Sequence, residues 1–295
     1  MITGKQRGGE EEQLMEMTLV KVLLGMFLAW CLVGCTDSIG SSQDEVKEEY
    51  DYGVFLSLQG QEAVKIAEGY EIVIIDAQFL SADEIGEMKS RGQTVYSYLN
   101  IGSIEKFRSH IKEFQHLALN PYKDWEGEYW VDVKAEEWQE FVAVTLAKEF
   151  LEKGVDGFWV DNADVYGQFA SEKIYEGVES ILNTLINYGK PVVINGGDEF
   201  VRTYWNRNQQ LDDILTGVNQ EMVFSSVNFD TNSFMTQLAV AQQYFLDYVD
   251  LVDEAGKDVF LLEYTVDDQL IRRIDGYANE KGWRYYISDS IELDG

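Results

Sequence analysis

The chain has 295 residues, 45% of them hydrophobic, enough to bury a sizeable core and to exclude disorder across the body. Its 53 acidic and 23 basic side chains give a formal charge of −30. Such a field repels nucleic acid and anionic lipid head groups and attracts cations, cationic polymers included. The two Cys, Cys31 and Cys35, lie near the N-terminus, so the body has no disulfide framework and no Cys-ligated zinc. The two His, His110 and His116, are not at the four-residue spacing of a helical metal pair and read as surface residues. No metal or cofactor is expected, and catalysis at neutral pH must rest mainly on carboxylates, tyrosines or lysines.

The first element in chain order is the apolar run Val20 to Val33, with Lys21 at its start. It is too short for a typical membrane span and has the length of a signal-peptide hydrophobic region. It leads into Leu32-Val33-Gly34-Cys35, which resembles the bacterial lipobox, whose Cys becomes lipidated and N-terminal. Residues 1–35 are therefore expected to be a lipoprotein signal peptide with lipidation at Cys35. The protein is expected to be a secreted bacterial lipoprotein, anchored to a membrane outside the cytoplasm. Glu10, Glu11, Glu12 and Glu16 do not suit a signal n-region, so Met15 or Met17 fits the start of translation better than Met1. Residues 36–49 are polar and unpatterned and read as a flexible tether, with the folded domain over 50–295.

From Tyr50 onward short apolar runs alternate with helical patterns. The runs are Tyr52 to Leu58, Glu71 to Asp76, Thr94 to Ile101, Gly157 to Asp161, Pro191 to Asn195, Gly217 to Glu221, Asp258 to Glu263 and Trp283 to Ser288. Between them, Ser81 opens a helix with acids in its first turn and Gly92 as its stop. Lys134 to Lys153 reads as a long amphipathic helix with Trp138, Phe141, Val142, Leu146 and Phe150 on its apolar face and Gly154 after it. Gln237 to Glu254 and Asp267 to Lys281 fit the same scheme, the last closed by Gly282. Eight β/α units predict an α/β fold, a single-domain (β/α)8 TIM barrel. The competing open doubly wound sheet lacks support from a Gly-rich phosphate turn after the first strand.

Several runs end in a polar residue: Asp76, Asn100, Asp161, Asn195, Glu221 and Glu263. In a barrel these carboxyl-terminal strand ends converge on the face where active sites are built, although helix capping accounts for some such residues. The ordered segments Gly154-Val155-Asp156-Gly157-Phe158-Trp159-Val160-Asp161-Asn162, Val193-Ile194-Asn195-Gly196-Gly197, Gly217-Val218-Asn219-Gln220-Glu221 and Val259-Phe260-Leu261-Leu262-Glu263-Tyr264 carry more information than any one end. Together with Tyr129-Trp130-Val131-Asp132-Val133, they resemble glycoside hydrolase family 114, the endo-α-1,4-polygalactosaminidases, and their bacterial barrel relatives. The resemblance runs from about Tyr50 to the C-terminus.

That resemblance implies retaining hydrolysis of an α-1,4-linked galactosamine polymer by an Asp after strand four and a Glu after strand six, which match Asp161 and Glu221. Asp161 is assigned as nucleophile, its carboxylate expected to be kept ionised in a context that includes Asn162. Glu221 is assigned as acid/base, with Met222, Val223 and Phe224 expected to raise its pKa by desolvation. Asp76, Asp132, Asp164 and Glu263 are expected to ring the cleft and pair with ammonium groups. Asn100, Asn162 and Asn195 join them as substrate-binding candidates. Tyr96, Tyr98, Trp130, Tyr166 and Tyr264 are candidates for stacking on sugar rings, Tyr98 and Tyr264 favoured because they lie near strand ends. Three alternatives stay open: a non-catalytic cell-surface barrel that binds polysaccharide, a carboxylate-ligated metal phosphohydrolase, and a hydrolase of another glycan. The loops Gly102 to Asp124 and Phe224 to Asn232 carry no readable motif.

Overall fold

A computed structural model describes residues 51–123 and 125–295; the expected signal peptide, Cys35 and the tether lie outside the described residues. Each apolar run forms a strand: β1 (Tyr52–Phe55), β2 (Ile72–Ile75), β3 (Thr94–Asn100), β4 (Gly157–Asp161), β5 (Val192–Asn195), β6 (Gly217–Glu221), β7 (Asp258–Tyr264) and β8 (Arg284–Ser288). All are parallel and pair in chain order. β8 lies against β1, and the Tyr286 ring sits 6.1 Å from those of Tyr52 and Phe55 across that seam. The sheet thus curls into a nearly closed (β/α)8 TIM barrel.

The connections are helices: α1 (Gly60–Ile66), α2 (Ala82–Ser90), then α3, α4 (Glu172–Ile186), α5 (Asp198–Asn208), α6 (Ala239–Glu254) and α7 (Asp268–Lys281). α3 joins an α segment Glu136–Glu140, a π segment Phe141–Leu146 and an α segment Ala147–Lys153. The sequence signals at the helix ends act as expected. Ser81 and Glu84 form a capping box at α2, each satisfying the other's free backbone N–H. Gly154 (φ 100°) and Gly282 (φ 73°) end α3 and α7 in the left-handed conformation that glycine adopts without strain. The apolar face of α3 is buried at Trp138, Val142, Leu146 and Phe150, and Phe141 is half-buried against it. The Trp138 indole N–H donates to the Ile101 carbonyl at 2.8 Å, tying α3 to the exit of β3.

Strand side chains alternate between the two faces of the sheet. Val73, Val95, Phe158, Val160, Ile194, Val218 and Leu261 pack outward under the helices, each full burial contributing about 1.5–3 kcal/mol. Tyr52, Ile74, Tyr96, Trp159, Val193, Phe260 and Leu262 fill the interior. Tyr52, Trp159 and Phe260 form an aromatic floor with ring centroids 5.1 to 5.9 Å apart. Above it the interior turns polar at Asn219, which is wholly buried.

Two antiparallel elements sit at the mouth. The β3–α3 connection folds into a three-stranded sheet of Ser103–Glu105, Ala118–Pro121 and Glu128–Val131, the last in the centre. Its entry is tight: a Cβ on Gly102 would lie 1.9 Å from the Asn162 carbonyl oxygen, so only glycine fits. The β6–α6 connection is a hairpin of Ser225–Asn228 and Ser233–Thr236. The Trp125 and Phe229 rings, one from each element, meet edge-on with centroids 6.1 Å apart.

Candidate active site

The parity that puts Trp159 in the interior also puts Asp161 there, two residues on, at the mouth. The same count along neighbouring strands turns Asp76, Tyr98, Asn100, Asn195, Asn219, Glu221 and Tyr264 inward. Asn195 stands between the two assigned acids: its Nδ2 donates to Asp161 Oδ1 at 3.1 Å and to Glu221 Oε1 at 2.7 Å. The sum of those distances, 5.8 Å, is the upper limit on the separation of the two oxygens. Asn219 Nδ2 donates to Asn195 Oδ1 at 2.6 Å, which fixes the amide with its nitrogen toward the acids. The Tyr52 hydroxyl lies 3.2 Å from Asn219 Oδ1, extending the network down to the aromatic floor.

Each acid has a phenol on its second oxygen. Tyr98 donates to Asp161 Oδ2 at 3.0 Å, and Tyr264 donates to Glu221 Oε2 at 2.8 Å. Burial pushes the Asp161 carboxyl up to about 8, helped by the charges of Glu221 and Glu128 and opposed by the Asn195 hydrogen bond. Burial also raises Glu221, against the hydrogen bonds from Asn195 and Tyr264. Two acids this close cannot both ionise cheaply, so the pair retains a proton near neutral pH.

Several expectations are corrected. Asn162 does not steady Asp161. It takes a left-handed backbone (φ 64°) and its amide donates to Ser103 Oγ at 3.0 Å and Glu128 Oε1 at 3.2 Å. The Asp161 donors are Tyr98 and Asn195, and the carboxyl is raised rather than held in the ordinary ionised range. Asp76, 2% exposed, does not stand free in the cleft: it is ion-paired with the buried Arg108, whose guanidinium also grips Glu105 at 2.9 and 3.0 Å. Glu263 is one residue out of phase with Phe260, Leu262 and Tyr264 and points outward. With 0% exposure, it accepts from the backbone N–H groups of Val223, Phe224 and Ser225 at 2.8 to 3.0 Å and pins the loop after Glu221. Asp132 is held by Lys134, through its backbone N–H at 3.2 Å and its ammonium at 3.3 Å, and does not join the central network.

The other candidates divide. Asn100 links Tyr98 to the inserted sheet, donating to the Tyr98 hydroxyl at 3.1 Å and to Ser103 Oγ at 2.6 Å. Asp164 is half-buried, accepts from the Gly197 N–H at 3.1 Å, and is pushed up by burial to about 6. Tyr96 is barrel interior, and Tyr166 packs on Tyr175 and Phe200. Trp130 is buried beneath Tyr122, the rings stacked at 4.2 Å. His116 is exposed, as expected, but His110 is half-buried against Phe141 at 4.7 Å.

Sequence reasoning missed Asn219, Glu128 and Tyr122. Asn219 was visible in principle, since it precedes Glu221 by two and shares its parity. Glu128 and Tyr122 arrive on the inserted sheet, which no strand-end signal marks.

A barrel carrying an Asp and a Glu bridged by one amide where its strands end is the apparatus of a glycoside hydrolase. The sequence pattern of glycoside-hydrolase family GH114 matches residues 40–294, and the chain belongs to that family; it is a glycosidase. An uncharacterised protein of Thermotoga maritima is 25% identical over 272 residues, which span 80% of each chain. Among solved structures, the glycoside hydrolase domain of PelA from Pseudomonas aeruginosa superposes with a TM-score of 0.69 at 15% identity, over 83% of this chain and 96% of that one. Aspergillus fumigatus Ega3, in complex with galactosamine, gives 0.64 at 17% identity over 83% and 93%. At these identities the two structures establish the fold.

Proposed function

We propose that this glycosidase cleaves a cationic, galactosamine-containing polysaccharide by a retaining mechanism, with Asp161 as nucleophile and Glu221 as acid/base. The observation that carries the reading is the single Asn195 amide bonded to both acids, which limits their oxygens to 5.8 Å. Retaining enzymes hold their carboxyls about 5–5.5 Å apart, while inverting enzymes leave about 6.5–9.5 Å for a water. In the first step an Asp161 oxygen bonds to the anomeric carbon as the glycosidic C–O bond breaks, and the Glu221 proton passes to the leaving oxygen. In the second, Glu221 takes a proton from water, whose oxygen attacks the same carbon and releases Asp161. The roles follow the family order, Asp after β4 and Glu after β6. The raised Glu221 suits an acid that must start protonated, and because the pair shares one proton, Asp161 is ionised when Glu221 holds it.

The family, the galactosamine bound to Ega3 and the net charge of −30 support an amino-sugar substrate. The lipobox-like Cys35 supports export and membrane anchoring. The test is release of new reducing ends from partly deacetylated galactosamine polymer by the wild type, Asp161→Asn and Glu221→Gln proteins, with a chelator control. Release by the wild type alone, insensitive to chelator, is expected; activity in both variants would remove the assigned pair. Azide added to Asp161→Ala and Glu221→Ala separates the roles, since an external nucleophile restores a glycosyl product with inverted configuration only where the nucleophile was removed.

A further inference from the structure

The inserted sheet does more than decorate β3. A cavity of about 450 Å³ opens in it, lined by Lys106, Tyr122, Trp125, Glu126, Glu128 and Tyr129 among others. That volume lies within the range of small-ligand pockets, ~300–1,000 Å³. Glu128 connects it to the catalytic pair. Its Oε1 accepts from Ser103 Oγ, from Asn162 Nδ2 at 3.2 Å and from Asn100 Nδ2 at 3.4 Å, and Asn162 directly follows Asp161. These donors clamp one oxygen. The other, Oε2, receives no hydrogen bond from any described residue.

Lys106 does not fill that role. It makes no ion pair with Glu128 or Glu126, and its ammonium instead sits 5.5 Å from the centre of the Tyr129 ring. Tyr122, stacked on Trp130, supplies an aromatic wall; its phenol is raised by burial and by the charges of Asp161, Asp164, Glu128 and Glu221, so the wall stands in the field of all four acids.

We propose that Glu128 is the specificity residue for the amino group, its Oε2 receiving the ammonium of a hexosamine unit seated in this cavity of the inserted sheet. The inference rests on the amino-sugar reading above and adds the residue that reads the amine. A charge-assisted hydrogen bond is about twice as strong as a neutral one, so an N-acetylated unit, which offers only an amide N–H, binds less well here. An ammonium there also favours the ionised form of Glu128, which burial raises and the hydrogen bonds from Ser103, Asn100 and Asn162 oppose.

The test uses the full chain, a galactosamine polymer and the same polymer chemically N-acetylated. Glu128→Gln keeps an oxygen for the Ser103, Asn100 and Asn162 donors and loses the charge. It is expected to lower kcat/KM on the free-amine polymer by about 10–100-fold, mainly through KM. The acetylated polymer should lose much less, so that the ratio of kcat/KM on the two polymers falls by about 10–100-fold; Glu128→Asp should restore part of it. Equal loss on both polymers, or none on either, overturns the proposal and leaves Glu128 a support for its neighbours. Binding separates this from the functional reading. If the wild type cleaves neither polymer, that reading fails, and galactosamine and N-acetylgalactosamine titrated into the wild type and Glu128→Gln proteins decide the inference. A free-amine preference lost in the variant sustains it, and no preference in the wild type ends it.

Discussion

Tyr98 and Asp161 are joined across β3 and β4 by a hydrogen bond that runs diagonally to the ladder. Tyr98 pairs in register with Trp159 and Asp161 with Asn100, yet the phenol reaches Asp161 Oδ2 at 3.0 Å. The contact turns the other oxygen, Oδ1, toward Asn195 and so toward Glu221. A donor on a carboxylate stabilises its ionised form. Tyr98→Phe keeps the ring and removes the donor. It should reduce kcat/KM by about 10–100-fold, the worth of a hydrogen bond to a charged group, and move the acid limb of the pH–rate profile to higher pH. The profile is the deciding measurement, because a packing defect would lower the rate without moving the limb.

Asn195 bears on both acids at once, so its loss should exceed that of either phenol. Asn195→Ala is expected to lower kcat by about 10²–10³, the scale set by removing a preorganised donor from a catalytic site. Asn195→Asp should be worse, since it sets a third carboxyl between Asp161 and Glu221. Steady-state rates of the two variants against Asn219→Ala, which frees the amide to rotate, would rank the contributions. Equal activity of Asn195→Ala and the wild type would show that the bridge is dispensable.

Raised carboxyls also cost stability. Asp161 at about 8, Glu263 at about 7 and Asp164 at about 6 all stand above the ordinary value of an unfolded carboxyl near 4. Between those limits the folded protein binds more protons than the unfolded chain, so stability falls as pH rises from about 4 to 8. Asp161→Asn removes the largest of these shifts. Its melting temperature should match the wild type near pH 4 and exceed it at pH 7–8, by about 2–4 °C for each kcal/mol recovered. Thermal melts of both proteins at pH 4, 6 and 8 give the answer, and a gap that does not widen with pH contradicts the assigned shift.

The fold was open to reading because a barrel repeats one simple pattern: all eight apolar runs became strands, and Gly154 and Gly282 closed the helices they follow. The site was open only where residue type and parity agreed. Asp161, Asn195 and Glu221 end their strands facing inward, as do Tyr98 and Tyr264. Glu263 ends its run with the same chemistry but the opposite parity, and the helical side of the sheet claims it. Asp76 has the right parity, but a distant Arg108 from the inserted sheet's far end neutralises it, and nothing in the local sequence of β2 announces that partner. Glu128 and Tyr122 depend on how a loop of unpatterned residues folds back over the mouth, which a strand-by-strand reading does not capture.

Glu263 gives the last and most discriminating expectation. A residue that binds substrate and a residue that pins a loop fail in different ways when removed. Glu263 satisfies three backbone N–H groups and the Ser225 hydroxyl just beyond Glu221. Glu263→Ala leaves those donors buried without a partner, which should cost on the order of 3–5 kcal/mol and lower the melting temperature by roughly 6 °C or more. The loop carrying Val223 to Ser225 would loosen, so kcat should fall as Glu221 loses its support. KM should stay within about twofold, because a side chain with no exposed surface has no contact with sugar to lose. Melting curves and saturation kinetics on the same preparation settle the matter: an unchanged melting temperature with a KM raised many-fold would return Glu263 to the cleft.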